Sequence, residues 1–339
     1  MSMRLTRFAV ALLLATTACV ADAQAQSSYP CANDLPNPYR LVTNWATTPR
    51  GWAAINAITV DDKNNFWGVD RCEEAGCKSV FEIGPDGKTI RNFGTDLFVE
   101  PHQVAVDHDG NIWVADASPK GAKGLQVTKL SPDGRVLLKL GKPGQGLGSA
   151  ALDSFDSPTG VAVASNGDIF IAQGHGENPN NSRILKFTKD GKLIKSFATY
   201  GAGDGQLRSP HAIAIDSQDR LYAADRSNSR VVVFDKEGKF LAAWKQFGRP
   251  SGIAVDKNDM LYVIDSQSSD NQGAANYNPG CKRGIRVGSV KDGKVTAYIP
   301  PPPPADPKWQ PAIGITADQN GNIYAASDDQ HNVVKWVKN

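Results

Sequence analysis

The sequence predicts an all-β fold, a six-bladed propeller of four-stranded antiparallel blades, on three observations. A pattern of two alternating apolar runs flanking a polar turn recurs six times along the chain. A second pair of runs, joined by Asp-Gly or Glu-Gly, stands between successive copies. No sustained 3.6-residue apolar period, the mark of an amphipathic helix, follows the first two dozen residues.

The copies are "INAITVDDKNNFWGVD", "PHQVAVDHDGNIWVAD", "PTGVAVASNGDIFIAQ", "PHAIAIDSQDRLYAAD", "PSGIAVDKNDMLYVID" and "AIGITADQNGNIYAAS". Their anchors, at the end of each first run, are Asp61, Asp107, Ala164, Asp216, Asp256 and Asp318. Successive anchors lie 40 to 62 residues apart (216 to 256, and 256 to 318), a period of propellers and arrays rather than of doubly wound sheets. The runs are rich in Val, Ile, Tyr and Trp at period two, as half-buried strands require. Between copies, "FEIGPDGKTI", "KLSPDGRVLL", "FTKDGKLIKSF", "FDKEGKFLAAW" and "GSVKDGKVTAY" read as hairpins, because the residue after Asp or Glu must turn tightly and Gly can.

Copy six reaches only "NVVKWVKN" before the chain ends, so its outer strand is missing. "PYRLVTNWA", residues 38 to 46, resembles that strand and is expected to pair with Val333 to Val337, closing the ring and removing an open sheet edge. The tract Pro300 to Pro304 cannot donate to a ladder and reads as a polyproline connector between blades five and six. Blade five carries the long connection "SQSSDNQGAANYNPGCKRG", residues 266 to 284, expected to act as a lid at the mouth that also holds His175.

Ahead of the propeller, Arg4 and Arg7 precede a short apolar run and "ADAQAQ", the pattern of a signal peptide cut near Ala25. The division is therefore 1–25 leader, 26–37 extension and 38–339 propeller, with export to the periplasm or beyond. Lipidation at Cys19 is the less favoured alternative, since Thr16 stands where a lipoprotein signal would carry Leu or Val. The run is too short for a transmembrane anchor. The net charge of +2 becomes +1 without Arg4, Arg7 and Asp22, and no basic stripe points to nucleic acid. Cys31, Cys72, Cys77 and Cys281 remain, an even count that reads as disulfides in an exported protein. "CEEAGC" pairs Cys72 with Cys77, and elimination pairs Cys31 with Cys281, although four cysteines allow three connectivities.

Six-fold repetition makes positions comparable around the ring. The residue five before each anchor, at the start of the innermost strand, is Asn56, His102, Thr159, His211, Ser251 or Ile313. Ten after the anchor stand Arg71, Ala117, Gly174, Arg226, Ser266 and Asp328. A lone histidine is more often a satisfied core or surface residue than a ligand, and an arginine near Asp is more often a structural partner. Two of the chain's five histidines at one register position shift the balance towards an axial role. Two imidazoles alone rarely hold zinc, and the position that would complete the alternation is Ile313, which cannot ligate. His175 lies in the Gly/Asn-rich "GHGENPNNS", a loop able to approach the axis. His331 reads as structural and His108, in the turn "DHDG", as exposed.

These residues resemble a family. The copies are similar to NHL repeats, and residues 38 to 339 resemble the peptidyl-α-hydroxyglycine α-amidating lyases, most closely in "PHQVAVDHDGNIWVAD", "SPTGVAVASNGDIFIAQG" with "NSRILKF", and "SPHAIAIDSQDRLYAADRSNSR". The resemblance implies zinc held by His102 and His211, with the third family histidine replaced by Ile313. It implies a substrate carboxylate held by Arg71 and Arg226, and a base-like role for His175 where the family has tyrosine. It also implies an axial calcium near Val104, whose acidic ligand falls on Gly314. The expected activity is a carbon–nitrogen lyase acting on a small carboxylate-bearing or peptide-like substrate, releasing an amide and glyoxylate. Two other readings stand beside it: a non-catalytic propeller whose loop face binds a protein or glycan, and a calcium-dependent lactonase-type hydrolase, for which Asn56 and Asp328 are the ring candidates.

Overall fold

In a computed structural model the described residues are 31–46, 48, 51–146, 151–175, 181–301, 313–327 and 332–339. The expectations for the leader, Cys19, Asp328, His331 and most of the proline tract lie outside them.

Each copy folds into the predicted meander. Blade one comprises Ile55–Val60, Phe66–Asp70, Lys78–Ile83 and Thr89–Thr95, paired antiparallel in that order. Blades two to five repeat this from inner strands Pro101–Val106, Pro158–Val163, Pro210–Ile215 and Pro250–Val255. Blade six takes Gly314–Ala317, Ile323–Ser327 and Asn332–Lys338, then Tyr39–Ala46 from the opposite end of the chain as its outer strand. The closing register runs from Tyr39 opposite Lys338 to Ala46 opposite Val333, as the incomplete sixth copy predicts. A short parallel pair, Thr199–Tyr200 with Gln206–Leu207, is additional to the blades. Among the described residues no helix is long and apolar enough to cross a membrane.

Strand periodicity sends alternate side chains into the gaps between neighbouring blades, and those gaps are the core. Between blades six and one lie Ile55, Phe66, Phe81, Tyr324 and Val333, all nearly inaccessible. The anchor Asp serves this packing. One carboxylate oxygen of Asp61 accepts from the turn amides of Lys63 and Asn65, and the other accepts from the buried indole of Trp67. Trp113, Tyr222, Tyr262 and Tyr324 make the same bond to Asp107, Asp216, Asp256 and Asp318. A ring sent into the core thus keeps its polar atom satisfied. Blade three has Ala164 in place of the Asp and Phe170 in place of Trp or Tyr, so acceptor and donor are both missing and no buried polar group is stranded.

A second carboxylate, at the end of the second strand, latches the segment entering the inner strand. Asp70 accepts from Ala53 and Ala54, and Asp116 from Val99 and Glu100. Both cysteine pairs form, Cys72–Cys77 and Cys31–Cys281. The second fastens the segment from Cys31 to Pro36 against blade five, where the buried Arg286 donates to Ala32 and Asn33 and pairs with Asp265.

Candidate functional site

In blades one to five the inner strand opens on a local irregularity. Pairing with the second strand shifts register across Ile55/Ala57, Pro101/Gln103, Pro158/Gly160, Pro210/Ile213 and Pro250/Gly252. The residue inside each irregularity is therefore released from the strict in-and-out alternation and re-aimed, as in a β-bulge. Asn56 donates to the carbonyls of Pro101 and His102, His102 to that of Thr159, Thr159 to that of Pro210, and His211 to that of Ser251. The result is a partial girdle of side-chain bonds running from blade one through to blade five, with two imidazoles built into it.

Those bonds settle the tautomers. A carbonyl oxygen only accepts, so the ring atom facing it, Nδ1 at 2.9 Å in His102 and 2.7 Å in His211, carries the hydrogen. Nε2 of each ring keeps its lone pair. In His102 that atom is buried and without a hydrogen-bond partner, an arrangement with a cost unless a cation or donor arrives. The two rings lie 4.5 Å apart between centroids.

His175 joins them. Gly174, with φ of 130°, turns the chain out of the second strand of blade three and delivers the ring 5.5 Å from His102 and 5.4 Å from His211. One nitrogen from each of His102, His175 and His211 lies within 4.8 Å of the others. The three are placed to hold a metal ion. His102 and His211 are buried and His175 has an exposed outer edge.

The environment keeps the rings neutral, the form that ligates. Burial, aided by Arg71, His175 and Arg226, holds His102 well below the ordinary histidine range. Burial, aided by Arg226 and the two neighbouring imidazoles, does the same to His211. Burial and Arg226 lower His175 to about 4 against the opposing pull of Glu100, and its exposed edge admits water that screens part of this effect.

Arg71 and Arg226 both act on these rings and so stand at the same mouth. Arg71 is paired with Glu100 at 3.1 Å and approaches the carbonyl of Pro101. Glu100 also accepts from Ser118. Ile313 lines the axial cavity of about 220 Å³ without a polar side chain, and Gly314 contributes no carboxylate to it. Val104 lines it too. His108 is exposed and lies at the opposite mouth, beside Asp61, Asp216 and Asp259.

Residues 266–283 leave the rim that His175 leaves, since both segments follow the second strand of their blades. Cys281 ties that loop to Cys31, and internal bonds from Asn276 to Gln267 and from Gly280 to Asp270 order it.

Two residues of the site were not singled out from the sequence. Glu100 precedes Pro-His where the second copy has Ser209. Gln103 occupies a register position held elsewhere by Ala57, Gly160, Ala212, Gly252 and Gly314. A ring comparison one residue further along would have exposed the second.

Fold and rim together define a six-bladed propeller of the NHL type with a polar axial site. The NHL repeat family model matches residues 207–234, the heart of blade four. Over 286 residues, 73% of this chain, the sequence is 32% identical to peptidyl-alpha-hydroxyglycine alpha-amidating lyase 2 of Drosophila melanogaster. It is 29% identical over 213 residues to human NHL repeat-containing protein 3, covering 61% of this chain. The alignments span 66% and 59% of those proteins' own lengths. A gluconolactonase from Xanthomonas campestris superposes with a TM-score of 0.60 at 16% identity, covering 88% of this chain and 89% of the other, a likeness of fold alone. The chain is an NHL-repeat propeller that resembles the amidating lyases.

Proposed function

We propose that this protein is a metal-assisted carbon–nitrogen lyase of the amidating kind, acting on an α-hydroxyglycine-extended amide at the histidine-bearing mouth of the axis. The observation that carries the reading is the convergence of three neutral imidazoles beside two guanidinium groups. The donor set fits a borderline-soft divalent ion such as zinc: three nitrogens, two of them oriented by backbone carbonyls, with room for a further ligand. A bound ion would supply Lewis acidity towards a substrate hydroxyl.

The remaining work falls to the chain's own groups. Arg226 meets the substrate carboxylate, and Arg71 divides its guanidinium between that carboxylate and Glu100. The hydroxyl proton leaves, its O–H electrons form the new carbonyl, the C–N bond breaks and nitrogen takes the electron pair and a proton. The products are the amide and glyoxylate, and no oxidant is needed. Glu100, held beside Arg71, and His175 are the groups able to receive the hydroxyl proton. His175 has two candidate duties, third ligand and base, and one variant separates them. Loss of the ion from His175→Ala identifies a ligand, while retained ion with lost turnover identifies a base.

Two disulfides and the leader sequence support export, with residues 1–25 removed; the N-terminus of the secreted chain tests it. A second reading, a propeller that binds a protein or glycan without catalysis, is favoured by the prior engagement of Arg71 with Glu100. Metal analysis of the purified chain, with glyoxylate release from an α-hydroxyglycine peptide, decides between them. One equivalent of ion with turnover supports the lyase, and neither supports the scaffold.

A further inference from the structure

The inner strand of every blade is a sheet edge, and its free N–H and C=O groups face the axis. Five of the six blades place a small residue one position after the girdle, which leaves this edge open: Ala57, Gly160, Ala212, Gly252 and Gly314. Blade two places Gln103 there, and its side chain crosses to the other blades. Nε2 donates to the carbonyl of Ile213 at 2.7 Å. Oε1 accepts from the amides of Ile213 at 3.2 Å and Val161 at 3.3 Å. One amide therefore bonds to blades three and four at once, and its orientation is fixed, since the carbonyl needs the NH₂ and the two N–H groups need the oxygen. Room for it comes from Gly160, where an added Cβ would lie 2.7 Å from Oε1.

The two strands joined are those that carry the inner histidines. Gln103 follows His102 directly, and Ile213 lies two residues after His211. We infer that Gln103 is a positioning residue: a brace across the axis that holds His102 and His211 at ligand distance before any ion binds. The girdle fixes each imidazole to the next blade, but only one blade at a time. The brace spans blade two to blade four and so fixes the histidines relative to one another. This rests on the metal-site reading above.

The test uses the full mature chain with Gln103→Ala and Gln103→Met, the second filling the channel without the hydrogen bonds. Zinc titration of the metal-stripped proteins should show affinity about 10–100-fold weaker in both variants, the scale of losing a group that orients a metal ligand. Cobalt loaded in place of zinc should show a weaker, shifted visible spectrum, reporting altered coordination, while circular dichroism stays that of the parent. Imidazole NMR of the metal-free proteins supplies an independent reading: the bonded Nδ1 hydrogens of His102 and His211 should be sharp in the parent and broadened in both variants. Affinity within twofold of the parent with an unchanged cobalt spectrum would overturn the brace. If only Gln103→Ala loses affinity, channel filling rather than hydrogen bonding is at work, and the inference fails as well. Should the parent itself bind no zinc, the functional reading fails separately. The NMR comparison then still decides the brace, sharp signals in Gln103→Met counting against it.

Discussion

His102 donates its Nδ1 hydrogen to the carbonyl oxygen of Thr159, 2.9 Å away in the next blade, which leaves Nε2 buried with its lone pair unshared. Protonating that ring would place a cation in a desolvated site beside Arg71 and Arg226. The folded chain therefore resists the proton, while the unfolded chain takes it up near about 6.5. Between 6.5 and the depressed folded value the unfolded state binds more protons, so stability falls as pH falls through this window. His211 acts in the same direction. Asp116 and Asp225, raised to about 6 by burial, act oppositely, gaining stability on acidification between about 6 and their ordinary 3.8. A difference measurement removes the aspartates. In EDTA, the urea midpoint should fall less steeply from pH 6.5 to 5 in His102→Gln than in the parent; equal slopes would show that the ring does not titrate as described.

Removing any one imidazole should take bound zinc from about one equivalent to well below it. His175→Ala should do so, and in the metal-free form it should unfold with the metal-free parent, because the ring has an exposed edge and lies in a loop. Elemental analysis of the zinc-loaded proteins and thermal unfolding of the stripped ones check the two halves of this expectation. Full metal occupancy in His175→Ala would remove His175 from the ligand set.

If Arg226 holds a substrate carboxylate, KM reports it. Arg226→Lys keeps the charge but loses the planar fork, so KM for an α-hydroxyglycine peptide should rise about 10–100-fold, the worth of a charge-assisted bidentate bond. Here kcat should change far less than KM, since Lys at the rim leaves the imidazoles in place. A lowered kcat at unchanged KM would assign Arg226 to the chemical step instead.

Tyr262 bonds through its hydroxyl to the buried Asp256 at 2.9 Å. Tyr262→Phe should cost about 1–3 kcal/mol, because the carboxylate loses a partner inside the core. In blade three, Phe170→Tyr should bring no comparable gain, since Ala164 offers no acceptor. Urea unfolding of both variants tests the pair. A neutral Tyr262→Phe would mean the bond contributes nothing net.

These same residues show how far the sequence could be read. The anchor Asp and the aromatic residue six positions later are a local pair, visible in one dimension, and they recur with the blade. Ring closure was legible because a sheet of three strands has an obvious gap and "PYRLVTNWA" has the matching pattern. The pairing of His102 with His211 followed from register. His175 did not, because a loop's path is set by its own turn residues, here Gly174, and not by the repeat. The Arg71–Glu100 pair and the partners that Gln103 finds were hidden: they depend on neighbours in space, 29 or more residues away in the chain.

The segment from Cys31 to Pro36 is a strap across blade five. Cys31 and Cys281 close a loop spanning 250 residues, and between Cys31 and the closing strand the chain is held by Arg286, Gln246 and the amide of Tyr298. Opening the disulfide with Cys31→Ser/Cys281→Ser should leave the blades intact and lower stability by about 2–5 kcal/mol, the range for removing a native bridge. The loss should be uneven. Backbone amides of Tyr39–Ala46, the strand that completes blade six, should exchange faster than those of blade four, because the strap holds the segment leading into that strand. Hydrogen exchange followed residue by residue distinguishes the two. Uniform acceleration across all six blades would mean that the bridge stabilises the ring as a whole. Unchanged exchange at Leu41 and Val42 with an unchanged urea midpoint would show that blade six stays closed without it.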